Sequence, residues 1–178
     1  MKLCFAQWFK SSSLLVPLTE AILTALVSFK TDRSLHSLPA FPTRTVLGVK
    51  FFSGSLKDVI DHVIHGGLVV VPSGPGLAND LPRDPAYRDA LVSADLVLPD
   101  SGLMALWWNR SHSNEEERLP RLSGLLFLKE FIKREAQGVL QDSFWIMPDA
   151  VQDADNRGWL AEDAGLVIET KDVYIAPV

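Results

Sequence analysis

Leu68-Val69-Val70-Val71 constrains this chain more than any other stretch. It carries no polar side chain, and it is bounded by Gly66-Gly67 before and Pro72 after. A run this short and wholly apolar fits a strand covered on both faces, as in a parallel sheet. Asp95-Leu96-Val97-Leu98 repeats the pattern. Both runs follow helical stretches. Before the first, Leu56, Val59, Ile60, Val63 and Ile64 form one apolar stripe, with Ser55 and Asp58 in capping-box spacing. Before the second, Pro85 to Ser93 reads as a helix.

The alternation continues to the end of the sequence. Helices are expected from Leu103 to Asn109, Gly124 to Ala136 and Ala150 to Asp163. Strands are expected at Phe144 to Met147, Leu166 to Ile168 and Val173 to Ile175. Thr45 to Phe51 is β-rich and reads as a first strand. Strands alternating with helices imply an α/β fold: a Rossmann-like parallel sheet with helices on both faces. No helical pattern follows Val173-Tyr174-Ile175, so the sheet is expected to be incomplete at its C-terminal end or to need a partner.

The 178 residues suit one domain. Ser34 to Arg44 holds Pro39 and Pro42 and reads as a linker, so residues 1–44 are expected to be an extension and linker, and 45–178 the domain. Leu14 to Phe29 is apolar but broken by Pro17 and Glu20, and it is shorter than the roughly 20 residues of a membrane span. It lacks the order of a signal peptide. It reads either as a segment touching a membrane surface or as an extension or packing helix.

Apolar residues make up 47% of the chain and charged ones 22%, a globular balance. The net charge of −5 provides no basic field for nucleic acid. Cys4 is the single cysteine, which excludes an internal disulfide and a cysteine-based zinc site and fits a cytoplasmic setting. His62 and His65 are spaced to share a helix face, but just ahead of Gly66 they suit the helix C-terminal dipole better than a metal. No metal or cofactor is expected.

In open α/β sheets, ligands bind at the carboxyl ends of strands. Two such ends stand out. In Pro72-Ser73-Gly74-Pro75-Gly76, Gly74 and Gly76 allow close backbone approach and Ser73 offers a hydroxyl. The alternative is a tight loop, since the stretch matches neither the dinucleotide nor the P-loop motif. In Pro99-Asp100-Ser101-Gly102, Asp100 is placed to take a proton from an attacking hydroxyl or to cap the helix near Leu103. Ser101 and Gly102 favour a turn with open backbone N–H groups, suited to phosphate. Arg121 is placed either to pair with a diphosphate or to lie on the surface near Glu115, Glu116 and Glu117, themselves a solvated loop. Trp107 and Trp108 are adjacent and do not share a helix face.

In order, Val46-Leu47-Gly48-Val49, the loop after Val69-Val70-Val71, Tyr87-Arg88-Asp89-Ala90-Leu91, Ala94-Asp95-Leu96-Val97-Leu98-Pro99-Asp100 and Arg121-Leu122-Ser123-Gly124 resemble the WecG/TagA/CpsF glycosyltransferases. The stretch from Tyr87 to Asp100 is the specific part. The resemblance implies transfer of a sugar of the N-acetylmannosamine type from a UDP-sugar to a polyprenyl-diphosphate-linked acceptor, in cell-surface polysaccharide biosynthesis. It implies no metal, with Asp100 as general base. It also implies a cytoplasmic protein in peripheral contact with the inner face of the plasma membrane. A homo-oligomer stays open. Where the family has Asp-Gly, this chain has Asp100-Ser101-Gly102. The family's Thr-x-Asn falls on Pro72-Ser73-Gly74, and a later acidic residue falls on Leu126. A Gly-x-Gly…Gln-Glu-type segment and a basic appendage would lie beyond Val178. The alternatives are an inactive fragment of such an enzyme and a Rossmann-like protein for another nucleotide.

Overall fold

The computed structural model describes residues 3–8, 24–29, 41–112 and 114–176. Its centre is a six-stranded mixed sheet in the order β6-β5-β2-β1-β7-β8. These strands are β1 (Leu3–Trp8), β2 (Thr24–Phe29), β5 (Gly67–Val70), β6 (Leu96–Val97), β7 (Ser143–Met147) and β8 (Val173–Ile175). β5 and β6 are parallel, as are β1, β7 and β8. β2 is antiparallel to both β1 and β5. The other five strands therefore point one way, and their carboxyl ends share one edge of the sheet.

β1 and β2 lie within the segment read as extension and linker. Each carries a nearly continuous apolar sequence, LCFAQW and TALVSF. Pro17 and Glu20, which argue against one long helix over Leu14 to Phe29, fall between the two strands. The apolar stretch thus contributes strand β2, and no described part of it forms a helix. The expected all-parallel sheet is mixed for the same reason.

Thr45 to Phe51 is a hairpin, not a single strand. β3 (Thr43–Val46) and β4 (Val49–Phe52) pair antiparallel, with Val46 opposite Val49. Leu47 at φ 53° and Gly48 at φ 80° make the two-residue turn. Positive φ at both central positions is the geometry that suits the twist of a hairpin. The same turn draws β3 out of the expected linker, which included Thr43 and Arg44.

The helices are α1 (Leu56–Val63), α2 (Pro85–Ser93), α3 (Gly102–Ser111), α4 (Gly124–Glu135) and α5 (Ala150–Ala164). Ser55 and Asp58 close the expected capping box on α1. A π-helical turn spans Gly76–Asp80 and takes over the end of the expected Pro72–Gly76 loop. Leu166 to Ile168 is not a strand. The chain there closes the end of α5: Gly165 adopts φ 65°, and the Leu166 N–H donates to the Leu160 carbonyl at 3.0 Å. Leu166 and Ile168 still turn inward while Val167 turns out, so the alternation persists without a ladder.

Alternate side chains of β5 and β6 enter different cores, which explains the wholly apolar runs. Val69, Val71, Leu96 and Leu98 join Val59, Val63, Phe127, Phe131 and Leu160 on the face covered by α1, α4 and α5. Val70 and Val97 join Val46, Phe51, Leu77, Leu91 and Met104 on the opposite face, under the hairpin, α2 and α3. β4 spans both, with Phe52 in the first core and Phe51 in the second. His62 and His65 part company: His62 is buried edge-on against Phe41, with ring centroids 4.9 Å apart, whereas His65 is exposed. Among the described residues, no helix is long and apolar enough to cross a membrane.

Candidate functional site

The neighbouring strands β5 and β6 end side by side, and the chain leaves each one through the segments singled out in the sequence. Leu98 donates its N–H to the Val70 carbonyl at 2.9 Å, so the strand pairing carries right up to these exits. Asp100 donates its N–H to the Leu98 carbonyl at 3.0 Å, turning the chain sharply over Pro99.

Gly74 is the contact between the two exits. A Cβ placed on it would sit 3.2 Å from the Ser101 Oγ. Ser73 is buried and structural in part: its Oγ accepts the Gly76 N–H at 3.1 Å, and its carbonyl accepts the Leu77 N–H at 3.0 Å. Gly76 is required for space, because a Cβ there would lie 2.5 Å from the Tyr87 phenol oxygen.

The two roles open to Asp100 divide between neighbours. Ser101, not Asp100, caps α3, its Oγ accepting the Met104 N–H at 3.3 Å. Asp100 instead reaches the start of α4, where its Oδ1 accepts the Gly124 N–H at 3.0 Å. A carboxylate there meets an unpaired N–H and the positive end of the helix dipole. Among the described residues, Oδ2 has no hydrogen-bond partner. Ser123 completes the α4 terminus, its Oγ accepting the Leu126 N–H at 3.4 Å.

Arg121 is held across this corner. Its Nε donates to the Asp100 carbonyl at 3.1 Å, and its side chain passes 3.5–3.7 Å from where a Cβ on Gly102 would stand. Leu122 pins the segment by donating its N–H to the Pro99 carbonyl at 3.1 Å. The Arg121 Nη groups hold no hydrogen bond among the described residues. Arg121 is exposed, Asp100 and Ser101 are half-buried, and Ser73 is buried. All seven residues singled out in the sequence therefore meet at one end of the β5–β6 pair. A ligand resting there would meet Gly74, Asp100, Ser101, Gly102 and Arg121 directly.

Two contributors were not legible as site residues. Gly124 supplies the N–H that fixes Asp100, and it lies so close to β5 that a Cβ would fall 2.5 Å from Val71 Cγ1. That tertiary contact leaves no room for a side chain there. Tyr87 packs its phenol onto Gly76, its hydroxyl buried without a hydrogen-bond partner among the described residues. Burial, followed by the nearby Asp80 charge, pushes the phenol pKa above its ordinary value. Further along, Asn109 clamps Leu119 with both ends of its amide, at 2.8 and 3.1 Å, fixing the segment that leads to Arg121.

Among the described residues, no group of three or more histidine, cysteine or acidic side chains is placed to hold a metal. A cavity of about 400 Å³ beside Arg44, Trp108 and His112, and one of about 380 Å³ beside Asp142, Ser143 and Lys171, contain none of the site residues. No family model, curated protein or solved structure matches this chain.

Proposed function

We propose that this protein is a glycosyltransferase of the WecG/TagA/CpsF type on a Rossmann-like scaffold. It moves a sugar of the N-acetylmannosamine type from a UDP-sugar to a polyprenyl-diphosphate-linked acceptor for cell-surface polysaccharide, in the cytoplasm at the inner face of the plasma membrane. One observation carries the reading: Asp100, Ser101, Gly102, Arg121 and Gly74 converge at the carboxyl ends of two adjacent parallel strands. That edge is where open α/β sheets bind ligands.

The chemistry follows from the groups present. Asp100 Oδ2 takes the proton of the acceptor hydroxyl as that oxygen attacks the anomeric carbon. The bond from that carbon to the diphosphate breaks, and the electron pair leaves with UDP. The hydrogen bond from Gly124 holds Asp100 in place and leaves Oδ2 facing away from it. The Arg121 guanidinium takes up charge on the departing diphosphate.

The test is transfer from a radiolabelled UDP-N-acetylmannosamine-type donor to a lipid-diphosphate sugar, with wild type and Asp100→Asn. The variant is expected to lose about 10²–10⁴-fold in rate, the scale of a general base. Equal rates in the two proteins would remove Asp100 from the mechanism. The Asp100–Gly124 bond also favours a second reading, a nucleotide-binding domain in which Asp100 only anchors α4. Saturable UDP binding by calorimetry without transfer would select it.

A further inference from the structure

We propose that the outward face of α3 is a dimer interface, paired with the same face of a second copy of this chain. This surface goes beyond the transferase reading and uses none of the groups given to that reaction.

The face is unusual in its polarity. α3 buries Met104 and Ala105 and half-buries Trp108 and Asn109. Its outward positions at i, i+3, i+4 and i+7 are Leu103, Leu106, Trp107 and Arg110. The first three are 78%, 67% and 54% exposed. The solvent side of this helix is thus at least as apolar as its core side, the reverse of an ordinary surface helix.

The area suits a second protein surface. A stable interface takes roughly 800 Å² from each partner, of which about 56–65% is apolar. Leu103, Leu106 and Trp107 expose about 400 Å² together, most of that apolar share. Tryptophan and arginine, here Trp107 and Arg110, are the residue types that most often anchor such surfaces.

The charges around the patch point to the same chain as partner. After α3 the backbone doubles back beside it: Trp108 Nε1 donates to the Glu117 carbonyl at 2.9 Å, and the Arg44 guanidinium donates to the Glu116 carbonyl. The acidic turn Glu115–Glu117 is thereby fixed at the flank of α3, with all three residues exposed. Arg110 and Arg118 are exposed as well, and among the described residues none of these five side chains is ion-paired. The three carboxylates balance Arg44, Arg110 and Arg118, so this flank has no positive excess to hold it on anionic lipid. A two-fold interface sets a patch against itself, so a patch that carries both signs complements its own copy. An axis running between Arg110 and the acidic turn places each copy's Arg110 on the other's carboxylates and brings the two apolar patches together.

The test is sedimentation equilibrium at about 1–100 μM for wild type, Leu106→Glu, Arg110→Glu and the triple variant Glu115→Lys/Glu116→Lys/Glu117→Lys. Wild type is expected at twice the 19.7 kDa of the chain. Leu106→Glu should weaken self-association by at least about tenfold, and so should each charge variant alone, because like charges then face one another. Mixed together, the two charge variants should form a one-to-one dimer, since their swapped charges oppose again. Circular dichroism should be unchanged throughout, because the substituted residues are exposed. A wild-type chain that is monomeric at the highest concentration overturns the proposal, whether or not it sediments with lipid vesicles. So does a dimer that Leu106→Glu leaves intact, or a pair of charge variants that associate no better mixed than alone. Sugar transfer enters none of these outcomes, so failure of the transferase reading would leave the interface standing.

Discussion

Gly124 has no room for a methyl group, because Val71 Cγ1 occupies the place where its Cβ would go. Gly124→Ala is expected to destabilise the protein by about 1–3 kcal/mol, the usual cost of overpacking a core. Val71→Ala in the same chain should recover part of the loss, read from urea midpoints at constant slope. The outcome bears on Asp100 as well, because the displaced N–H is the one that Asp100 accepts. Gly76 poses the same problem with a different neighbour. Gly76→Ala meets the Tyr87 hydroxyl, and Tyr87→Phe should relieve it in a double-mutant cycle, with a coupling of about 0.5–3 kcal/mol. At this scale the sequence was legible where a residue type announces chemistry. Asp100, Ser101 and Arg121 stand out because they lie at or near a strand end, although each also has an ordinary use there as a cap or a surface residue, and Ser101 takes the cap. Gly124 and Tyr87 could not be read that way. Their roles depend on Val71 and Gly76, which only the folded chain brings near.

Hairpin β3–β4 turns on a leucine in the left-handed region, where a Cβ costs roughly 1–2 kcal/mol. Leu47 is exposed, so little burial offsets that cost. Leu47→Asn is expected to raise stability by about 1 kcal/mol, since asparagine tolerates this conformation. A lower urea midpoint in the variant would show that the leucine side chain matters in its own right. The turn also explains why one strand was expected where two stand: Val46 and Val49 are both apolar and β-prone, and the lone Gly48 between them reads as well as a bulge as it does a turn. Helices were easier, because their ends carry local chemistry. Ser55 with Asp58, Asp84 before Pro85, and Ser123 all cap through neighbours in the sequence. Strand partners have no such local sign. Nothing in LCFAQW or TALVSF indicates that they pair with each other and with strands far along the chain.

His62 couples the whole molecule to pH. Burial pushes its pKa below the ordinary 6.5; the nearby Asp95 charge opposes the shift, and His65 adds to it. The folded state therefore binds this proton less readily than the unfolded state. Stability contributed by neutral His62 is fully present above about pH 6.5 and declines as pH falls below it, levelling off under the folded-state value. His62→Phe should flatten the dependence between pH 7 and 5 in urea titrations. An unchanged slope would assign it to other groups.

The sheet order carries a consequence in time. β1 and β2 leave the ribosome first, yet they occupy the middle of the finished sheet, with β5 and β6 on one side and β7 and β8 on the other. Cys4 lies opposite Phe144, and Leu26 opposite Val70. β1 must therefore wait, with an open edge, for β7 far along the chain, and β2 for β5. Folding should be slow for the chain's size, since closing such long loops precedes any gain from pairing. A version beginning at Phe41 would keep helices α1 to α5 and the residues around Asp100, yet its two half-sheets would lack the strands that join them. It is expected to lose cooperative unfolding and to aggregate through the exposed edges of β5 and β7. β1 and β2 are made before the strands they join, and in that interval their open edges are free to pair with other chains.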